Sequence, residues 1–152
     1  MNTELKVSQS DLYEVDYYLW LQDTIEKLKH QNYEQVDWKN LVDEIEDMPK
    51  RERRSLESNL VVVLLHLLKW QYQSGRRSGS WSGSIIEHRR RIRKVLRDSP
   101  SLKNYLEEVL VECYESAAEQ ASAETELPIE TLPGECPYSI DQILEADLSE
   151  FS

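Results

Sequence analysis

The residues from Leu60 to Leu68 are apolar apart from His66, and this stretch most constrains how the chain can fold. Large apolar residues recur through it at alternating intervals of four and three, which is the spacing of one helical face: Leu56, Leu60, Val63, Leu67 and Trp70. The other faces of the same stretch are apolar too, so neighbouring helices must cover it on several sides. We therefore predict a buried central helix over about residues 50–73.

Two helices are predicted before this central helix. The first runs from about Ser10 to residue 31, and its apolar stripe comprises Val15, Tyr18, Leu21, Ile25 and Leu28. The second begins after Asp37, a residue type that caps helix N-termini, and its apolar face comprises Trp38, Leu41, Ile45 and Met48. Pro49 either separates it from the central helix or occupies the first turn of the central helix, where a missing N–H is tolerated.

Three further helices are predicted after the central helix. Ser84 and Glu87 have the spacing of a capping box and open the fourth helix. Ser99 followed by Pro100 opens the fifth, whose apolar stripe comprises Leu102, Leu106, Val109, Leu110, Cys113, Ala117 and Ala121. A short last helix begins after Ser139.

These elements predict an all-α fold, and 152 residues suffice for one domain with a hydrophobic core. We expect a single-domain bundle of five main helices over residues 10–148, arranged around the central helix, with a short C-terminal helix added. Residues 1–9 are expected to be a flexible N-terminus, residues 74–84 a Ser/Gly/Arg loop, and residues 149–152 a C-terminal tail.

The sequence favours a cytoplasmic protein with no membrane association. The N-terminus lacks a positively charged segment followed by an apolar one, so no signal peptide is expected. The longest apolar run has nine residues, far fewer than the ~20 that a membrane-spanning helix needs. Cys113 and Cys136 have no metal-binding spacing, so we expect free thiols, no metal site and no cofactor.

The charge of the chain is unevenly distributed. Residues 50–97 hold 13 Lys and Arg against 3 Asp and Glu, whereas the other residues hold 5 against 26. This asymmetry is typical of a protein whose basic segment binds an acidic partner. It is equally explained if acidic helices pack beside the basic segment and neutralise it.

The candidate binding residues lie in the basic segment. Arg76, Arg77 and Trp81 in the Ser/Gly loop would contact phosphates and stack on bases, or would recognise an acidic protein segment. Arg90, Arg93 and Lys94 on the fourth helix would support them. Alternatively, Trp81 packs into the bundle and the arginines pair with surplus carboxylates. The possible partners are therefore nucleic acid, an acidic protein or, in a homo-oligomer, a second copy.

The candidate catalytic residues are those of a phosphodiester-cleaving nuclease. His66 would act as the base, Glu44 would orient it or hold a metal, and Lys69 or Arg89 would stabilise charge on the phosphate. The alternative is structural: a hydrogen-bonded core histidine, and an ion pair that fixes helix register. A third hypothesis makes the acidic helices the interaction surface.

Several motifs in this chain occur together in a known family. They are "DYYLWL", "NLVDEIEDM", "LLHLLKWQYQ", "RRSGSWSGSI", "RDSPSL", "ETELP" and "ECPYSIDQIL", from about Asp11 to Leu148. With them the chain resembles the domain-of-unknown-function family numbered twenty-nine, small helical proteins abundant in cyanobacteria. The resemblance implies an all-α fold in a bacterial cytoplasm and implies no activity.

Overall fold

A computed structural model describes residues 9–152 of the chain, with the side chains of residues 12–152. The described part contains six α-helices joined by turns and short 3₁₀ segments, and it contains no β-strand. The helices are α1 (Gln9–Val15), α2 (Tyr17–Lys29), α3 (Trp38–Tyr72), α4 (Gly79–Asp98), α5 (Leu102–Thr125) and α6 (Ile140–Glu145). The all-α prediction is confirmed, although several predicted helix boundaries are wrong.

The predicted first helix is two helices, because Asp16 interrupts it. Asp16 has an extended φ of −148°, and its side chain accepts a hydrogen bond from the Leu19 N–H at 3.0 Å. A short acidic side chain is unfavourable inside a helix, but at a helix start it can accept a hydrogen bond from a free backbone N–H. Asp16 therefore ends α1 and caps α2.

The predicted second and central helices are one helix, since α3 runs for 35 residues and carries Pro49 in its interior. The predicted cap at Asp37 is confirmed by a hydrogen bond from the Asn40 N–H to Asp37 Oδ1 at 3.3 Å. A proline inside a helix removes one backbone hydrogen bond and crowds the preceding turn. In α3 the long helical segments on both sides offset this cost.

The fourth and fifth helices begin elsewhere than predicted. α4 begins at Gly79, because Ser78 accepts a hydrogen bond from the Trp81 N–H at 3.4 Å. The capping box predicted at Ser84 is therefore wrong, and most of the predicted Ser/Gly loop is helical. Ser99 ends α4 through a hydrogen bond from its N–H to Val95 O at 2.8 Å, so α5 begins only at Leu102.

The short C-terminal helix is confirmed. α6 starts after Ser139, whose side chain accepts a hydrogen bond from the Gln142 N–H at 3.1 Å. The Gln142 side chain in turn accepts one from the Ser139 N–H at 2.9 Å. This reciprocal capping box satisfies two backbone donors at the start of a short helix.

The chain divides into two compact units, Met1–Lys50 and Arg51–Ser152. In the second unit, the second half of α3 is the buried central helix that was predicted, and Leu56, Leu60, Val63 and Leu67 are fully buried. Side chains of α4, α5 and α6 enclose it, and they include Ile85, Ile92, Leu106, Val109, Ala117 and Ile143. Each fully buried leucine or isoleucine contributes roughly 1.5–3 kcal/mol to folding, so this core is the main source of stability in the second unit.

The first unit packs differently from the prediction. Several residues of the two apolar stripes predicted here are exposed: Val15 by 77%, Tyr18 by 71% and Ile45 by 56%. The fully buried residue is instead Trp20, whose Nε1–H donates to Asp37 Oδ2 at 3.3 Å. Its ring packs edge-on against Tyr13, with 4.8 Å between the ring centroids. The apolar periodicity of these helices therefore marks a face that the described chain leaves uncovered.

We predict that Pro49→Ala stabilises the protein, because alanine restores the backbone donor that α3 lacks at this position. The expected gain in the free energy of unfolding is about 1–3 kcal/mol. Urea denaturation followed by circular dichroism measures it, with Lys50→Ala as the neighbouring control. A Pro49→Ala protein no more stable than the control would contradict a regular helix through residue 49.

Candidate functional site

The second half of α4, the start of α5 and α6 form a surface groove of about 520 Å³. The groove combines four cationic side chains, two carboxylates and two leucines: Arg90, Arg93, Arg97, Lys103, Asp141, Glu145, Leu96 and Leu144. We call it the α4–α6 groove. Leu144 belongs to the hydrophobic core and Leu96 packs against it, so the apolar part of the groove is continuous with the interior.

Helical spacing sets the cationic wall of this groove. Arg90, Arg93 and Arg97 follow one another at intervals of three and four residues, so their side chains share one face of α4. Lys103 adds a fourth cation from the first turn of α5. The two carboxylates, Asp141 and Glu145, come from α6, where they are also four residues apart.

The cations of the groove make weak internal contacts. Lys103 Nζ lies 3.5 Å from Asp141 Oδ1, and Arg90 pairs with Glu87 on its own helix. Arg97 makes no hydrogen bond or ion pair with another residue of the described chain. Solvent-exposed ion pairs are worth only about 0–1 kcal/mol each, so an incoming carboxylate can replace them at little cost.

Glu87 neutralises part of the positive charge of Arg90 and Arg91 on α4. Hydrogen bonds from Arg90 and Arg91 lower the pKa of Glu87 below its ordinary value. The distances are 2.8 Å from Arg90 Nη2 and 3.1 Å from Arg91 Nε, both to Glu87 Oε1. Among the predicted binding residues, Arg90 is therefore paired with a carboxylate of its own helix, within the basic segment.

Arg89 binds the C-terminal end of α6. Its Nε, Nη1 and Nη2 donate to the carbonyl oxygens of Ile143, Ala146 and Gln142 at 2.6, 2.8 and 3.3 Å. The side chain is buried, and this burial lowers the pKa of Arg89 from its ordinary value. Free carbonyls and the helix dipole make a helix C-terminus a favourable site for a cation. Arg89 thus positions α6 beside α4.

Arg93 completes this attachment one turn further along α4. Its Nη1 donates to Leu144 O at 3.0 Å and lies 3.4 Å from Glu145 Oε2. Arg93 is therefore both a wall of the groove and a contact to α6. Lys94 is exposed and lines a different groove, between α4 and α3, with Glu52 and Asp98.

Arg77, just before α4, and Trp81, in the first turn of α4, both contact the end of α3. Arg77 Nε donates to Trp70 O at 2.8 Å, its Nη2 donates to Phe151 O at 3.1 Å, and its guanidinium lies 4.9 Å from the Trp70 ring centroid. Lys69 Nζ lies 4.8 Å from the Trp81 ring centroid. Arg76 is exposed in a 3₁₀ turn.

Lys69 and His66, two of the predicted catalytic residues, have separate partners in the second unit. Lys69 Nζ pairs with Glu124 Oε2 at 3.0 Å. His66 Nδ1 lies 2.8 Å from Val62 O, one turn earlier on the same helix, so this nitrogen donates to a backbone carbonyl. These contacts, with those of Arg89, are the ones expected of structural residues.

Glu44 belongs to the first unit and is buried against tyrosine hydroxyls. Tyr13 Oη donates to Glu44 Oε2 at 2.9 Å, and Tyr17 Oη donates to Glu44 Oε1. The hydrogen bond to the carboxylate, with burial, raises the pKa of Tyr13 to about 12. Glu44 lies 22 residues before His66 on α3, whereas helical neighbours are three or four residues apart.

The described part of the chain offers no cluster of three or more His, Cys, Asp or Glu side chains that could hold a metal ion. Both cysteines are free thiols, and burial raises the pKa of Cys113 to about 11. No helix among the described residues is long and apolar enough to cross a membrane.

Sequence reasoning identified the face of α4 that carries Arg90, Arg93 and Arg97 but missed the groove beside it. The lining residues that were not predicted are Lys103, Asp141 and Glu145, which come from two other helices. A local signal for α6 existed in its capping box, yet the docking of α6 on α4 depends on hydrogen bonds between residues more than 50 positions apart.

Comparison with known proteins gives a family without an activity. The family model described as "Domain of unknown function DUF29" matches residues 12–149, nearly the whole chain. No curated protein and no solved structure matches the chain.

We predict that Arg89→Leu destabilises the protein by about 2–4 kcal/mol, because carbonyl oxygens at the end of α6 lose their donors. Arg90→Leu, which loses only an exposed ion pair on the same helix, should change stability by about 0.5 kcal/mol or less. Urea denaturation measures both. Equal effects of the two substitutions would show that the contact to α6 is not a stabilising one.

We predict that Glu44→Gln lowers the pKa of Tyr13 from about 12 towards the ordinary value of a tyrosine, since the carboxylate is the main cause of the shift. A titration of ¹³C-labelled tyrosine by NMR measures it. Tyr105 is an internal control, because its pKa is raised to about 12 by Glu57 and should not change. If Tyr13 titrates identically in both proteins, the hydrogen bond to Glu44 does not form in solution.

Proposed function

The chain belongs to the DUF29 family, and we propose from its own surface that it is a non-enzymatic binding module. Its partner is an acidic protein segment that also carries apolar side chains, and it docks in the α4–α6 groove. The single observation that supports this most strongly is the combination of four cations and two leucines in that groove. We propose the bacterial cytoplasm as its setting, which fits two free cysteines.

The lining of the groove matches such a segment in two ways. The cations of α4 and α5 would pair with its carboxylates, and within the part of the chain that the structure describes Arg97 has no other ion-pair or hydrogen-bond partner. Leu96 and Leu144 would contact its apolar side chains and exclude water from those ion pairs. Guanidinium groups are suited to this role because they bind carboxylates through two parallel hydrogen bonds.

Nucleic acid fits this surface less well. None of the described residues that line the groove is aromatic, so a base would find no ring to stack on, and stacking is a main source of single-strand affinity. Outside residues 50–97 the chain carries 26 Asp and Glu against 5 Lys and Arg, which would repel a long polyanion. A short acidic segment would lie beside the cations of the groove alone and would be attracted by them.

Arg76, Arg77 and Trp81 are proposed as a secondary contact. Arg77 and Trp81 already contact the end of α3, whereas Arg76 is exposed and makes no such contact with the described residues. The geometry supports the nuclease hypothesis less well. Arg89 already donates to three carbonyl oxygens, and Glu44 belongs to the first unit whereas His66 and Lys69 belong to the second.

A second candidate, interaction through the acidic helices, is favoured by a groove of about 390 Å³ on α5. Glu115 and Glu119 line it together with the apolar residues Ala118, Ile129 and Pro133. This surface would suit a basic segment with apolar side chains.

Fluorescence anisotropy with a labelled acidic–apolar peptide tests the main proposal. Affinity should fall as salt is raised, and Arg97→Glu should weaken binding about tenfold or more, because it places a repulsive charge in the groove. Lys29→Glu makes the same charge change at an exposed site in the first unit and should leave affinity unaltered.

The same titration separates the alternatives. A larger loss for Arg76→Glu than for Arg97→Glu would place the binding surface on the loop. Preferential binding of single-stranded RNA or DNA would contradict an acidic protein partner, and binding of a basic–apolar peptide alone would favour the groove on α5. An Arg97→Glu protein that binds as tightly as the Lys29→Glu control would contradict the proposed groove.

A further inference from the structure

The exposed large apolar residues of the described chain are concentrated in the first unit. Ten of the fourteen lie between Val15 and Met48. Exposed apolar residues scattered singly are normal, whereas a contiguous patch of them marks an interaction surface. The described part of the first unit is therefore where an apolar interaction surface is to be sought.

Four of these residues form one continuous stripe on α3. Trp38, Val42, Ile45 and Met48 follow at intervals of four, three and three residues, and each is between 48% and 56% exposed. Residues at this spacing lie on one helical face, so the stripe spans three turns. Such a face is suited to packing against another helix.

The charges beside the stripe indicate what covers it. Lys39 and Glu46 lie seven residues apart, which is about two turns, so both flank the same side of the stripe. Both are exposed, and neither forms an ion pair with another residue of the described chain. The stripe therefore carries a positive charge at one end and a negative charge at the other, along a single edge.

This pattern is self-complementary when two copies of α3 pack antiparallel. With the two-fold axis between Val42 and Asp43, Lys39 lies about 5 Å before the axis and Glu46 about 5 Å after it, so each Lys39 faces the partner's Glu46. Trp38 lies about 7 Å from the axis, between the levels of the partner's Ile45 at about 4 Å and the partner's Met48 at about 8 Å. In a parallel pair, Lys39 and the partner's Lys39 would lie at the same level on opposite edges of the stripe, and neither would face a Glu46.

We propose that the Trp38–Met48 face of α3 is a homodimer interface in which two copies of the helix pack antiparallel. The interface lies in the first unit and does not use the α4–α6 groove. It stands independently of the proposed binding function.

Sedimentation equilibrium of the full-length chain tests the apolar part of the proposal. The wild-type chain should be a dimer, and Ile45→Glu should raise its dissociation constant about 30-fold or more, the effect typical of an interface hot spot. Val111→Glu changes a residue of the second unit that is 64% exposed and should leave the dimer intact. A monomeric wild-type chain, or equal weakening by both substitutions, would overturn the proposal.

A charge exchange tests the antiparallel register. Lys39→Glu and Glu46→Lys should each weaken the homodimer about tenfold, because each places like charges opposite one another twice. The double variant should restore wild-type affinity, and the two single variants should form a heterodimer when mixed. Circular dichroism confirms that each variant is folded. A double variant no tighter than the single variants would overturn the antiparallel arrangement.

Discussion

The second unit depends on one constraint: the stretch of α3 from Leu60 to Leu68 is apolar on nearly every side and must be enclosed. No single neighbouring helix can cover it, so α4, α5 and α6 are all required, and each contributes fully buried side chains to the same cluster. His66 is compatible with this enclosure because it is only partly buried and its ring donates to the backbone of its own helix.

The attachment of α6 links this packing to the proposed site. A helix of six residues has little stability of its own. The capping box stabilises the start of α6, and hydrogen bonds from Arg89 and Arg93 hold its end against α4. The same contacts bring Asp141, Leu144 and Glu145 opposite the basic face of α4, and this creates the α4–α6 groove. Arg89 is not a lining residue of the groove, but it determines the position of α6 and therefore of the groove residues that α6 carries.

Sequence patterns predicted those features that depend on local interactions. The burial of the second half of α3 followed from its apolar run, and the start of α6 followed from Ser139. The predicted start of α4 at Ser84 is wrong because Ser78, another serine that can cap a helix, does so six residues earlier. Glu87, the expected partner of Ser84, is instead bound by the arginines that follow it. The role of Arg89 could not be predicted, since its acceptors lie 53 to 57 residues away. Periodicity placed Trp38, Ile45 and Met48 on one apolar face but could not tell whether another part of the same chain covers it.

Mapping of the binding surface by NMR tests the central claim most directly. ¹⁵N-labelled protein would be titrated with the acidic–apolar peptide, and backbone amide shifts would be followed residue by residue. We predict that the largest changes occur at Arg93, Arg97, Lys103 and Leu144, which come from three different helices and all line the α4–α6 groove. Changes confined to the loop at residues 74–78, to α5 around Glu115, or absent altogether would contradict it.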